Sequence, residues 1–159
     1  MKGKIAMDVY KRLQELGLKI PAVPKPAGLY VTCQTTGNLL YTSGQDCRGE
    51  DGVLPYTGKV NVDVTIEEGY EAARLTMLNC LAVIENELGD LNRITKFVKL
   101  LCFVQSNDDF YEQPSVMNGA SQLLIDLFGE KGKHARTAVS AVSLPFNIPL
   151  EIELIVEFE

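Results

Sequence analysis

The residues of this chain best placed to do chemistry lie near its C-terminus, in the run His134-Ala135-Arg136-Thr137-Ala138-Val139-Ser140, followed by Leu144-Pro145 and then Leu150-Glu151-Ile152-Glu153. Arg136 opens a short strand-like segment, and Glu151 stands fifteen positions later in the next one. A guanidinium is a flat, permanently charged fork that takes a carboxylate or phosphate through two parallel hydrogen bonds. A glutamate can hold and activate water. Together the two residue types point to anion capture coupled to proton transfer. His134 is the sole histidine, but no serine or cysteine stands in register with it as a nucleophile, so a loop role among Lys131, Lys133 and Arg136 is the simpler reading.

The elements that must position these groups follow from periodicity. Ile5, Val9, Leu13 and Leu16 recur at helical spacing and stop at Gly17, which predicts an amphipathic helix over 5–16. Tyr30–Gln34 and Leu39–Ser43 alternate as strands around Gly37-Asn38, a hairpin. Residues 48–58, with three glycines and Pro55, are a loop. Thr65 and Glu68 have capping-box spacing, and Ala73, Met77, Cys80, Leu81, Ile84 and Leu88 give one apolar face before Gly89. Residues 94–105 are rich in β-branched and aromatic types, as in a strand covered on both faces. A second helix is expected over 116–128, with strands over 136–143 and 150–158. In the last strand Leu150, Ile152, Leu154, Val156 and Phe158 share one face, while Glu151, Glu153 and Glu157 share the other. The order ββαβαββ indicates an α+β two-layer sandwich with helices on one face of a mixed sheet.

Length and charge narrow the function classes. The 159 residues, 46% of them hydrophobic, can bury one core. The net charge of −6 gives no broad cationic surface for a phosphate backbone, which makes a nucleic-acid partner unexpected. The basic cluster around His134 lacks interleaved aromatics for base stacking. No apolar run approaches the roughly 20 residues that span a bilayer, so a cytoplasmic protein without membrane contact is expected. Cys33, Cys47, Cys80 and Cys102 form no C-x-x-C pair, so neither a metal nor another cofactor is expected. Cys80 and Cys102 read as core residues, and Cys33 and Cys47 are most simply structural.

The xAR…LP…ELE segment resembles the C-terminal block of the RidA/YjgF family, small trimeric proteins that hydrolyse reactive enamines and imines and that also carry the label L-PSP endoribonuclease. Gly28-Leu29-Tyr30, Gly37-Asn38 and Tyr41-Thr42-Ser43-Gly44-Gln45 resemble a second block, and Ala72-Ala73, Asn79, Leu81, Phe97-Val98, Asp109-Phe110 and Asn118 follow in the family's order. The resemblance divides the chain into an N-terminal helical extension, 1–22, and a RidA/YjgF-like domain, 23–159. It implies a chorismate-mutase-like fold and a homotrimer with clefts between subunits. It further implies hydrolytic deamination of 2-imino or 2-enamino acids to 2-keto acids and ammonia. In that reading Arg136 clamps the substrate carboxylate, Glu151 positions the hydrolytic water, and Tyr30, Ser43, Gly44 and Asn118 line the pocket. The alternatives are an endoribonuclease acting on single-stranded RNA and a non-catalytic trimer that binds small carboxylates. Ala138 occupies a position where many members carry cysteine, Thr137 is a less usual neighbour, and the Asp109–Asn118 segment is longer than usual, which together point to a divergent subgroup.

A geometric difficulty accompanies this reading. If the last two strands were a simple hairpin, Arg136 would lie opposite residue 157, about 20 Å from Glu151. Either these strands are not partners, or the pocket is assembled between subunits, which the family resemblance favours.

Overall fold

The computed structural model describes residues 8–159. Helix α1 (Val9–Glu15) starts where the Asp8 side chain accepts a hydrogen bond from the Tyr10 amide, and it buries Val9 and Leu13 one turn apart. The part of the expected helix that includes Ile5 lies outside the described residues. Strands β1 (Cys33–Thr36) and β2 (Leu39–Thr42) form the hairpin, with Gly37 at φ +56° as the first of two loop residues. β1 begins three residues later than expected. Ahead of it, Val31 and Thr32 still bind Ser43, through the hydroxyl and the amide respectively, but outside a regular ladder.

Helix α2 (Ile66–Leu88) has both hydrogen bonds of the Thr65/Glu68 capping box, 3.1 and 2.8 Å, and ends at Gly89 in the left-handed region. Strand β3 (Ile94–Gln105) has the bounds expected from sequence. Helix α3 (Gln113–Phe128) begins three residues before the expected start, because Pro114 sits in the first turn, where a missing amide hydrogen leaves no bond unmade. Strands β4 (Ala135–Ala141) and β5 (Leu150–Phe158) complete the chain.

The sheet order is β1-β2-β5-β3-β4. β3 and β4 are parallel, as the crossover through α3 requires, and the other pairs are antiparallel. The fold is therefore the expected α+β arrangement, with three α-helices among the described residues on one face of an open mixed sheet. β4 and β5 are not partners, because β3 lies between them.

One face of the sheet carries Leu100, Cys102, Val104, Leu150, Ile152, Leu154 and Val156, which meet the apolar faces of α2 and α3 in one core. Val9 and Leu13 of α1 belong to that core, and Arg12 Nε donates to the Asp126 carbonyl of α3. Cys80 and Cys102 are fully buried, and burial pushes the Cys102 thiol up to about 12. Cys47 is buried as well, at about 11. These thiols stay protonated and inert. No helix among the described residues lies on the other sheet face. β3 is thus covered on one side, and Tyr41, Leu101, Phe103, Val139 and Ile155 remain partly or fully exposed on the open side. No helix among the described residues is long and apolar enough to cross a membrane.

Close approach of α2 and α3 depends on Gly119, where a Cβ would stand 2.9 Å from the Tyr70 carbonyl carbon. Backbone cannot yield as a side-chain tip does, so Gly119→Ala should cost about 1–3 kcal/mol through overpacking. Urea unfolding measures this, and an unchanged midpoint would sink the assignment of that contact.

Candidate functional site

Glu151 is the first charged residue of β5 and points to the open sheet face, in register with Phe103. Opposite it the β2–β5 ladder is irregular. Between the pairs Tyr41↔Ile155 and Gln45↔Ile152 the β2 side advances four residues and β5 three, a bulge of one residue at Thr42–Gly44. The bulge lays the Gly44 backbone against the Glu151 side chain: a Cβ on Gly44 would meet Glu151 Cδ at 2.5 Å. Ser43 is fixed by its hydroxyl, which donates to the Val31 carbonyl at 2.7 Å, and Tyr30 Oη accepts from the Ala27 amide at 3.0 Å. Tyr30, Ser43, Gly44 and Glu151 line one open groove of about 1210 Å³. Burial, then the nearby Glu153 and Asp46 carboxylates, raises the Glu151 pKa above the ordinary glutamate value. The carboxylate has no hydrogen bond or salt bridge to a described residue.

Arg136 lies elsewhere. It pairs with Leu100, whose side chain enters the helix-side core, and neighbouring residues across a ladder point to the same face. Arg136 therefore faces α3, where its Nη1 donates to Asn118 Oδ1 at 3.0 Å and to Ser121 Oγ at 2.9 Å. The Ser121 hydroxyl in turn lies 2.9 Å from His134 Nε2, and His134 Nδ1 is 2.6 Å from the Gly132 carbonyl. A carbonyl only accepts, so Nδ1 carries the proton and Nε2 takes the serine hydrogen. Burial, opposed by the Gly132 bond, lowers the His134 pKa and favours this neutral form. Asn118 and Arg136 are thus brought together, and His134 has the serine partner that its sequence position did not reveal.

The six expected site residues consequently form two groups. Arg136 and Glu151 stand on opposite sheet faces, two strands and three register positions apart, or about 10 Å across and about 10 Å along. No single small ligand bridges them within one chain.

The groove also holds residues that sequence reasoning missed. Asn79, buried on α2, donates to the Asp46 and Arg48 carbonyls at 2.8 Å each and so fixes the loop that enters the groove. Arg48 Nη2 bonds Asp46 at 3.0 Å, and its guanidinium lies 5.2 Å from the Phe146 ring centroid. Phe146 and Asn147 have φ of +58° and +57°, a left-handed pair of non-glycine residues, each costing about 1–3 kcal/mol. Buried Gln105 holds them there: its Oε1 accepts from the Leu144 amide at 2.6 Å and its Nε2 donates to Asn147 Oδ1 at 2.7 Å. The sequence signal was the bracket Pro145-Phe146-Asn147-Ile148-Pro149, a loop stiffened at both ends.

The raised pKa of Glu151 has a consequence for stability. Below the unfolded value of 4.5, Glu151 is protonated folded or unfolded and no penalty exists; as pH rises through the higher folded value, ionisation disfavours the fold. Glu151→Gln should therefore be more stable than wild type at pH 7 and equally stable near pH 3.5. Urea midpoints at the two pH values measure the difference, and a Gln variant weaker at pH 7 would contradict it.

Comparison with known proteins gives these two groups of residues a context. Residues 10–158 match a family model described as "YjgF/chorismate_mutase-like, putative endoribonuclease". Protein TCP17 of Trypanosoma cruzi is 41% identical over 156 residues, 98% of this chain and 94% of that protein. The 2-iminobutanoate/2-iminopropanoate deaminase of Escherichia coli is 30% identical over 135 residues, 83% and 89% of the two chains. A crystal structure of a protein of unknown function from Agrobacterium tumefaciens superposes with a TM-score of 0.88 at 43% identity, covering 95% and 92%. The chain belongs to the YjgF/RidA family.

Proposed function

We propose that the protein hydrolyses 2-imino and 2-enamino acids to 2-keto acids and ammonia, at sites composed of Glu151 from one copy and Arg136 from a neighbour in a homotrimer. The observation that carries this reading is the Glu151 carboxylate, half-buried in a groove, unpaired and raised in pKa, as a water-activating base at neutral pH requires. Glu151 accepts a proton from water as the oxygen bonds to the imine carbon and the C=N electrons move to nitrogen. It returns that proton to the nitrogen, giving a carbinolamine, then takes the new hydroxyl proton and passes it to the nitrogen as the C–N bond breaks and the carbonyl forms, so that the keto acid and ammonia leave. The imine carbon is already electrophilic, so no covalent nucleophile is needed. Arg136 uses only Nη1 for Asn118 and Ser121, leaving guanidinium edges for a substrate carboxylate.

Two features support assembly. The open sheet face exposes Tyr41 and Val139 beside Leu101, Phe103 and Ile155, an apolar surface of the kind that copies of a chain bury against one another. The separation of Arg136 from Glu151 also leaves each half without its complement in one chain. An endoribonuclease is disfavoured by charge: Asp46, Glu50, Asp51, Glu151 and Glu153 line the groove against Lys25 and Arg48, the wrong sign for a phosphate backbone.

Arg136→Ala should lower efficiency about 30- to 1000-fold, the loss of a charge-assisted bidentate contact worth about 2–4 kcal/mol, and Arg136→Lys should restore part of it. A mixing experiment tests the composite site. Arg136→Ala and Glu151→Gln, each nearly inactive, should regain activity when dissociated and reassembled together, with about one site in four holding both native groups in a random ring. Imines made in situ and ammonia release provide the assay. No recovery on mixing, with trimers confirmed by sedimentation, would exclude a site shared between copies.

A further inference from the structure

The loop carrying Phe146 presents an arrangement that neither hydrolysis nor the fold requires. Two consecutive non-glycine residues are left-handed there, and Phe146 is 62% exposed. An aromatic ring in water at the end of a strained, tightly clamped segment contributes little to the core. Gln105 binds both ends of the turn from its buried position, and the Gly58 amide donates to the Asn147 carbonyl at 2.8 Å. The ring is thereby held on the wall of the Glu151 groove, where Arg48 stands over it and is itself held by Asp46. Tyr30, 48% exposed, is a second aromatic on the same groove. With Arg48 over one side of the ring, the exposed remainder is a flat apolar surface able to take a side chain by stacking or burial.

We infer that Phe146, backed by Arg48, is a side-chain subsite that selects 2-imino acids bearing an aromatic or large apolar side chain over small and acidic ones. The inference rests on the proposed deamination and adds its substrate class. Selection against acidic substrates follows from the groove's charge, since five carboxylates face two cations and Arg48 is already paired with Asp46. Selection against small ones follows because a methyl group reaches no part of the ring that a benzyl group would cover.

The test generates imines with an amino-acid oxidase from phenylalanine, leucine, alanine and glutamate, and traps the residual imine with semicarbazide. The wild type should show its highest kcat/KM on the phenylalanine- and leucine-derived imines and its lowest on the glutamate-derived one. In Phe146→Ala the ratio of efficiencies, phenylalanine-derived over alanine-derived, should fall about tenfold or more, and Phe146→Leu should recover part of it. Calorimetric binding of phenylpyruvate and pyruvate gives a readout independent of turnover, with phenylpyruvate tighter in the wild type and the preference erased in Phe146→Ala. If no imine is hydrolysed but this preference persists, the deamination reading falls and the subsite stands. Equal binding of the two keto acids, an unchanged efficiency ratio in Phe146→Ala, or an altered sedimentation coefficient in that variant would overturn the subsite. The last result would make Phe146 an assembly contact instead.

Discussion

The register of β3 with its two neighbours governs what the rest of the molecule can do. A strand shows successive side chains to opposite faces, so one ladder position decides which compartment a residue enters. Leu100 is in register with Arg136 and Phe103 with Glu151, three positions apart, an odd number. That parity sends the arginine into the helix layer and the glutamate onto the open face. It cannot be relieved by rotamer changes, because moving either residue to the other face would slip its whole strand by one position and turn Leu150, Ile152, Leu154 and Val156, or their β4 counterparts, out of the core. Packing therefore enforces the separation of these two residues. It also leaves Leu101 and Phe103 on a face that no helix of the described residues covers.

Each half is then fixed by a different kind of force. Arg136 is held by hydrogen bonds running from Asn118 and Ser121 through His134 to the Gly132 carbonyl, with donors and acceptors matched at every step. Glu151 is held by shape. The bulge at Thr42–Gly44 brings the Gly44 backbone against it, and the loop fixed by Asn79 lines the groove, while the carboxylate itself is left without a bonded partner among the described residues. A satisfied cation and an unsatisfied carboxylate suit the proposed roles of clamp and base: one must stay put, and the other must remain free to exchange a proton. Gln105 connects the two parts of the architecture, since it ends β3, binds the Pro149 carbonyl ahead of β5, and clamps the turn that carries Phe146.

Local signals were legible in the sequence where they were strong and self-contained. The Thr65/Glu68 capping box and Gly89 bounded α2, and the alternation of β5 predicted its buried and acidic faces. α3 begins three residues before the expected start, because a helix accepts Pro114 in its first turn. β3 read as doubly covered because apolar residues on its open face look the same in sequence whether a helix or another surface lies against them. The grouping of Tyr30, Ser43, Gly44 and Glu151 followed from family resemblance, and the groove brings them together. The opposed faces of Arg136 and Glu151 were not legible, since they depend on β3 being inserted between β4 and β5. Ser121 escaped notice for the same reason: only the parallel pairing of β4 beside α3 sets it between Arg136 and His134.

The energetics of the two loops bordering the groove separate structural from functional demand. Asn79 satisfies two carbonyls with a buried amide, an economical way to fix Asp46 and Arg48. The Phe146-Asn147 turn is the reverse: backbone strain is retained and an apolar ring left in water, neither of which favours the isolated chain. Raised Glu151 works in the same direction, since an ionised carboxylate with a folded pKa above its unfolded one lowers stability at neutral pH. Both unfavourable features border one groove, on a wall otherwise fixed by the well-satisfied Asn79 network. That distribution is expected where a surface is shaped for a ligand the isolated chain lacks, because contacts made on binding offset what folding alone does not.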